Sequence, residues 1–180
     1  RSRATGLTWM RVPERMQNEI ETERLVLRWF REDDVQALYL LGSIPEIIRY
    51  AQSKPLASLE DARALLHAAP FHDYAIHGYG RFACVWKATG AVIGFSGVKY
   101  VPEFADTELG YRFLPEYWGR GLATEAGEAS IDFARSSVGL TRLIALVHPD
   151  NTASARVVTK LGFSVEKQVR YSGLNGVDVN

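Results

Sequence analysis

The run EYWGRGLATEA, Glu116 to Ala126, sets two glycines around one arginine directly ahead of residues with helical spacing. The first N–H groups of a helix have no partner inside it, and the helix dipole makes that end favourable for an anion. Gly119 and Gly121 can adopt φ > 0 and let an anion reach the backbone with no Cβ in the way. Arg120 between them adds a charged donor, and each charge-assisted hydrogen bond contributes about 1.5–3 kcal/mol. The chemistry open to such a turn is the cradling of a diphosphate, and the alternative is a plain turn ahead of a helix. Two common phosphate loops do not fit. No G-x-x-x-x-G-K-[ST] run occurs, and a G-x-G-x-x-G fingerprint fails because Thr124 stands at its last position.

Other residues with chemical potential are quieter. His67, His72, His77 and His148 show no metal-ligand spacing, so no metal is expected. Cys84 is the one cysteine and sits in the apolar run RFACVW, as a buried core thiol would. A chain without disulfides suits a reducing cytoplasm. Glu125, in the first turn of the expected helix, complements its dipole.

The 21 basic and 21 acidic side chains cancel, which leaves no overall field to recruit nucleic acid. No run approaches the roughly 20 apolar residues that span a bilayer, and the opening residues have no signal-peptide core. At 180 residues and 47% hydrophobic, the chain suits one globular domain, over 21–180, with 1–20 as an N-terminal extension. A cytoplasmic monomer or homodimer is expected, with no nucleic-acid or membrane partner.

The elements that position the glycine turn are legible from periodicity. RLVLRWF (24–30) reads as a strand, and EDDVQALYLL (32–41) as a short helix capped by Asp33 or Asp34. SLEDARALLHAA (58–69) is a helix opened by a Ser58–Asp61 capping box, with Leu59, Ala62, Leu65 and Leu66 as its stripe. The aromatic-rich FHDYAIHGYGRF reads as a surface loop. Two β-rich runs about KATG form an antiparallel hairpin, and DTELGYRFLP (106–115) is a third strand. Leu122, Ala126, Ala129 and Phe133 form one helix face that ends near Gly139. TRLIALVH (141–148) reads as a strand, NTASARVVTKLG (151–162) as a helix and FSVEKQVRY (163–171) as a strand. The terminal GVDVN begins another strand, which is expected to be incomplete. The class is α/β (α+β), with an antiparallel front half.

ELGYRFLPEYWGRGLATEA followed by HPDNTASARVVTKLGF resembles the GNAT superfamily of N-acetyltransferases, and more narrowly its RimJ/RimL-type branch. IETERLVLRWFREDDVQAL is similar to the opening of that branch, so the likeness runs from about Glu21 to Gly176. The resemblance implies a mixed, mostly antiparallel central sheet with helices on both faces. It implies acetyl-CoA as cosubstrate and direct acetyl transfer to a primary amine, on a small molecule or a protein N-terminus. The family's pyrophosphate loop falls on Trp118, Gly119, Arg120, Gly121, Leu122 and Ala123, with Trp118 in place of Gln or Arg. Backbone amides from Gly119 to Thr124 would hold the diphosphate, and Thr124 can add its hydroxyl. A backbone N–H near Tyr111, Arg112 and Phe113 would polarise the thioester carbonyl. Glu108 is the implied general base, Asn151 a pantetheine ligand, and Ser154 a contact to the thiolate. Val158 stands where many members carry an acidic Tyr, which leaves a non-catalytic acyl-CoA-binding module as the alternative.

Overall fold

The computed structural model describes residues 19–51, 54–171 and 177–179. Its central sheet is an antiparallel meander, ordered β1 (Ile20–Glu21), β2 (Leu25–Arg28), β3 (Arg81–Trp86), β4 (Val92–Val101) and β5 (Asp106–Phe113). Ile20 pairs with Leu27, so the first strand takes in one residue of the expected N-terminal extension. Residues 1–18 of that extension lie outside the described residues. The KATG segment closes the β3–β4 hairpin as expected.

Strand alternation sends neighbouring side chains to opposite faces, and each face has its own core. On one face, Ala83 and Phe95 pack with Val35, Leu38 and Leu41 of α1 (Val35–Ser43). Ile47 of α2 (Pro45–Ile48) and Ala62 and Leu66 of α3 (Leu59–Leu66) complete that layer. On the other face, Phe82, Cys84, Ile93 and Phe113 pack against Leu122 and Ala126 of α5 (Leu122–Phe133). Fully burying one such apolar side chain contributes about 1.5–3 kcal/mol. A buried hydroxyl pair, Ser96 to Ser130 at 3.0 Å, ties β4 to α5. The sheet therefore carries helices on both faces.

Several local readings change. The 141–148 run is no strand. It bonds β5 at one parallel bridge, with Ile144 donating to Thr107 and accepting from Leu109 at 2.9 and 2.8 Å. Of 163–171, only β6 (Val169–Tyr171) is a strand, paired antiparallel with β7 (Val177–Val179), where the terminal strand was expected. The loop expected at 71–82 contains α4 (His72–His77), which follows α3 through a π-helical turn over His67–Phe71. Pro70 lies inside that turn and has no N–H to continue an α-helical ladder. Asp34 occupies the N-cap of α1 without capping it. Its carboxylate instead takes both guanidinium donors of Arg28, at 2.8 and 2.9 Å, and the Arg31 N–H at 2.7 Å. Ser58 does cap α3, accepting the Asp61 N–H at 3.1 Å. Leu59 and Leu65 of its stripe stay exposed, because this short helix buries only Ala62 and Leu66.

Candidate active site

The glycine turn stands where β5 gives way to α5. Gly119 and Gly121 have φ of 71° and 78°, the left-handed region that favours glycine. A Cβ on Gly119 would meet nothing within 4 Å, so open space lies over the turn. Gly121 is the N-cap of α5 and brings no side chain to its first N–H groups, those of Leu122, Ala123 and Thr124. An uncapped helix start under open space fits a diphosphate.

The turn is braced from behind. Glu125 accepts from the Thr22 hydroxyl at 2.6 Å, the Arg24 N–H at 2.8 Å and the Arg24 Nε at 2.7 Å. Arg24 also donates to the Arg120 carbonyl at 2.9 Å. Burial pushes the Glu125 carboxyl up, but these hydrogen bonds and the Arg24 charge outweigh it and hold the group below its ordinary range. Trp118, 49% exposed, donates its indole N–H to the Phe113 carbonyl at 2.7 Å, which pins the turn to the end of β5. The Arg120 guanidinium lies over the Tyr117 ring.

Beside the turn, β5 parts from the 141–148 segment. The antiparallel ladder alternates, so Leu114 donates to Ile93 across β4 while Leu109 donates to Ile144 on the other edge. By the same alternation Tyr111 and Phe113 direct their N–H groups to the open edge beyond Leu109. Arg112 turns its N–H to Phe95, its partner on β4. Of the three expected backbone donors, Tyr111 and Phe113 face the gap. Arg112 does not, because its parity is wrong; it contributes a side chain instead. Tyr111 and Phe113 at this edge, the glycine turn, Asn151 and Ser154 all line one cleft of ≈ 900 Å³.

Asn151 caps α6 (Thr152–Lys160), accepting the Ser154 N–H at 3.1 Å. The Ser154 hydroxyl lies 2.8 Å from the Tyr111 phenol. Burial raises the Tyr111 pKa, against the hydrogen bond from Ser154, so the phenol keeps its proton. Val158, Arg156 and Lys160 line the same end of the cleft.

Glu108 opens onto the cleft from the opposite face of β5 and is 13% exposed. Burial pushes its carboxyl above the ordinary glutamate range, although Arg81 at 3.1 Å and Lys99 pull it back. Arg81 reaches Glu108 across a lane of glycines. Arg81 pairs with Gly97 and Gly97 with Gly110, and a Cβ on Gly110 would lie 2.6 Å from Arg81 Nη2. Tyr171 of β6 lines the cleft as well and feels the charges of Glu108 and Arg81. Arg24, Arg81, Lys99 and Tyr171 were not singled out in the sequence. The Gly97 and Gly110 positions were the available signal for Arg81, and only strand register makes them neighbours. His72 and His77 do not line this cleft; His77 packs on Tyr79 and Tyr100. Among the described residues no cluster of His, Cys, Asp or Glu is placed to hold a metal, and no helix is long and apolar enough to cross a membrane.

A strand edge that opens beside an uncapped helix start has the shape to take a long acyl-carrying cosubstrate, the arrangement of an acyltransferase. Residues 24–164 match the acetyltransferase (GNAT) domain, and the chain belongs to that family of acetyl-CoA-dependent N-acetyltransferases. An uncharacterized N-acetyltransferase, p20 of Bacillus licheniformis, is 33% identical over 151 residues, 83% of this chain and 84% of that protein. The spermidine N(1)-acetyltransferase of Escherichia coli K12 is 25% identical over 148 residues, 81% of this chain and 75% of that protein. The crystal structure of an acetyltransferase from Agrobacterium tumefaciens C58 superposes with a TM-score of 0.77 at 25% identity, covering 99% of this chain and 96% of that one.

Proposed function

We propose that this N-acetyltransferase binds acetyl-CoA along the open edge of β5 and receives its amine acceptor from the Glu108 side of the same cleft. The observation that carries the reading is that β5 stops pairing with the 141–148 segment at Leu109, on a cleft that the uncapped start of α5 also lines. Acetyl-CoA supplies an activated acetyl thioester. The chain would hold its diphosphate with the N–H groups from Gly119 to Thr124 and the Thr124 hydroxyl. The amide-bearing arm would meet one of the Tyr111 and Phe113 N–H groups and the Asn151 side chain.

Glu108 accepts the proton that the amine loses, directly or through a water, and its raised pKa suits that work at neutral pH. Of the two N–H groups at this edge, Tyr111 and Phe113, the one that the arm leaves free stabilises negative charge on the acyl oxygen. Ser154, backed by the Tyr111 phenol, supplies the proton that the sulfur gains. An N–C bond forms and a C–S bond breaks, Glu108 gains one proton and the Ser154–Tyr111 pair gives one up, and exchange with water restores both groups. Val158 is then no obstacle, since a tyrosine from β5 stands in reach of Ser154.

The acceptor is a primary amine, on a small molecule or, as the RimJ/RimL-like stretches suggest, at a protein N-terminus. We place the protein in the cytoplasm as a single catalytic domain over 21–180, with Cys84 buried and free in its core. Calorimetric titration with acetyl-CoA, with ATP and NAD as controls, followed by turnover over an amine panel, tests the reading. Saturable binding of acetyl-CoA alone and release of CoA with an amine are expected. Acetyl-CoA binding without turnover of any amine or N-terminal peptide would leave a binding module.

A further inference from the structure

We propose that the acceptor carries a carboxylate beside its amine, as an amino acid does, and that Arg112, with Arg81, holds that carboxylate in the cleft. The inference rests on the acetyltransferase reading above and concerns the acceptor end of the same site.

Arg112 is the residue that needs an explanation. Its Nη1 donates to the Leu41 carbonyl at 3.0 Å, and its guanidinium lies 5.4 Å from the centre of the Phe95 ring. Arg81 lies 5.1 Å from the same ring. Burial, and then the Arg81 charge, lower the Arg112 pKa to about 10. Two guanidiniums thus share one aromatic ring and repel each other. Arg81 has a carboxylate partner in Glu108. Arg112 has none among the described residues, and a carbonyl satisfies one of its donors without neutralising its charge. A half-buried cation with a cationic neighbour and no counter-ion is costly, and an anion arriving from the cleft relieves that cost.

The setting points the same way. Arg112, Arg81, Lys99 and Arg49 all line this end of the cleft, against Glu46 and Glu108 as its only carboxylates among the described residues. Glu108, as the base, is reserved for the amine. The guanidinium fork matches a carboxylate in two parallel hydrogen bonds. Arg112 and Glu108 project from the same face of β5 with only Gly110 between them on that face, so one small molecule can engage both. A polycation such as spermidine would meet the surplus of positive charge.

The test uses matched acceptors with the whole protein: leucine and leucinamide, phenylalanine and phenylalaninamide, a leucine-initiated peptide, and spermidine. Rates are compared per free amine, since amide formation lowers the amine pKa. The carboxylates are expected to exceed their amides at least tenfold in kcat/KM. Arg112→Gln should collapse that ratio at least tenfold, through KM, with the Kd for acetyl-CoA unchanged. Arg112→Lys, which keeps the charge but not the fork, should fall between and serves if the Gln variant does not fold. Amides, the peptide or spermidine turned over as well as the amino acids would overturn the proposal, as would a ratio that survives both substitutions. Acetyl-CoA binding with no acceptor in the panel acetylated overturns it too, while the cosubstrate reading stands. Failure of the folded protein to bind acetyl-CoA removes that reading and the proposal together.

Discussion

Arg24 and Glu125 join the N-terminal hairpin to the first turn of α5, with Arg24 Nε 2.7 Å from the carboxylate and Arg24 Nη1 2.9 Å from the Arg120 carbonyl. The pair holds the glycine turn between them without touching the space over Gly119. Glu125→Gln removes the charge and weakens this brace. The expected outcome is a rise of about tenfold in the acetyl-CoA Kd, equivalent to roughly 1.4 kcal/mol, with kcat little changed. Calorimetry and steady-state kinetics on one preparation decide this.

The same carboxylate has a pH signature. Its folded-state pKa is depressed, so its stabilisation is present above the ordinary glutamate value and is lost as pH falls through the folded value. Thermal melts of the native protein should lose stability across that acid window. Glu125→Gln should melt lower near neutral pH, and its curve should be flatter across the acid window. A variant that tracks the native protein at every pH would show that the brace contributes nothing.

Much of this site was legible locally. The glycine turn, the α5 stripe from Leu122 to Phe133, the β3–β4 hairpin and the Ser58 cap each depend on neighbours within a few residues. What escaped depends on register or on distant partners. Asp34 is the local exception, since Arg28, six residues back, and the Arg31 N–H, three back, take its carboxylate in place of a helix cap. The apolar run from Leu143 to Val147 marks an extended segment, but its composition does not say how far an edge stays paired. Here it pairs with β5 at Ile144 alone. The parity that turns Arg112 N–H toward Phe95, and the alignment of Gly97 with Gly110 beneath Arg81, follow from pairing across three strands.

Glu108→Gln tests the base. The substitution preserves volume and much of the hydrogen bonding but cannot accept a proton. General-base catalysis contributes about a hundredfold to ten-thousandfold, and kcat/KM should drop within that range. In the native protein the acid limb of the pH profile should lie above the ordinary glutamate value, because burial raises this carboxyl. The Gln variant should lose that limb. A profile of unchanged shape would assign the limb to another group.

Tyr111→Phe and Ser154→Ala test the proton delivered to sulfur. Tyr111 reaches the Ser154 hydroxyl at 2.8 Å and the Ser154 carbonyl at 3.2 Å. Either substitution should lower kcat, by about a hundredfold if the proton comes only from this pair, and leave acetyl-CoA affinity near native. The double variant should be no slower than the worse single one, because the two groups act in series. Additive losses in that cycle would mean that they act independently.

Gly110→Ala separates electrostatics from packing. The added Cβ would lie 2.6 Å from Arg81 Nη2, the far end of a movable side chain, so the guanidinium should swing away rather than the strand shift. Replacing glycine where the backbone permits it stabilises by about 0.4–1 kcal/mol, so the melting temperature should hold or rise slightly. Glu108 would lose the nearby charge that pulls its carboxyl down while its burial remains. The acid limb of the rate profile should therefore move to higher pH in a protein that is no less stable. A limb that stays in place would mean that Arg81 does not tune Glu108. A limb that moves lower would mean that Glu108 had found a stronger cationic partner, and Lys99, opposite it on β4, is the one in place.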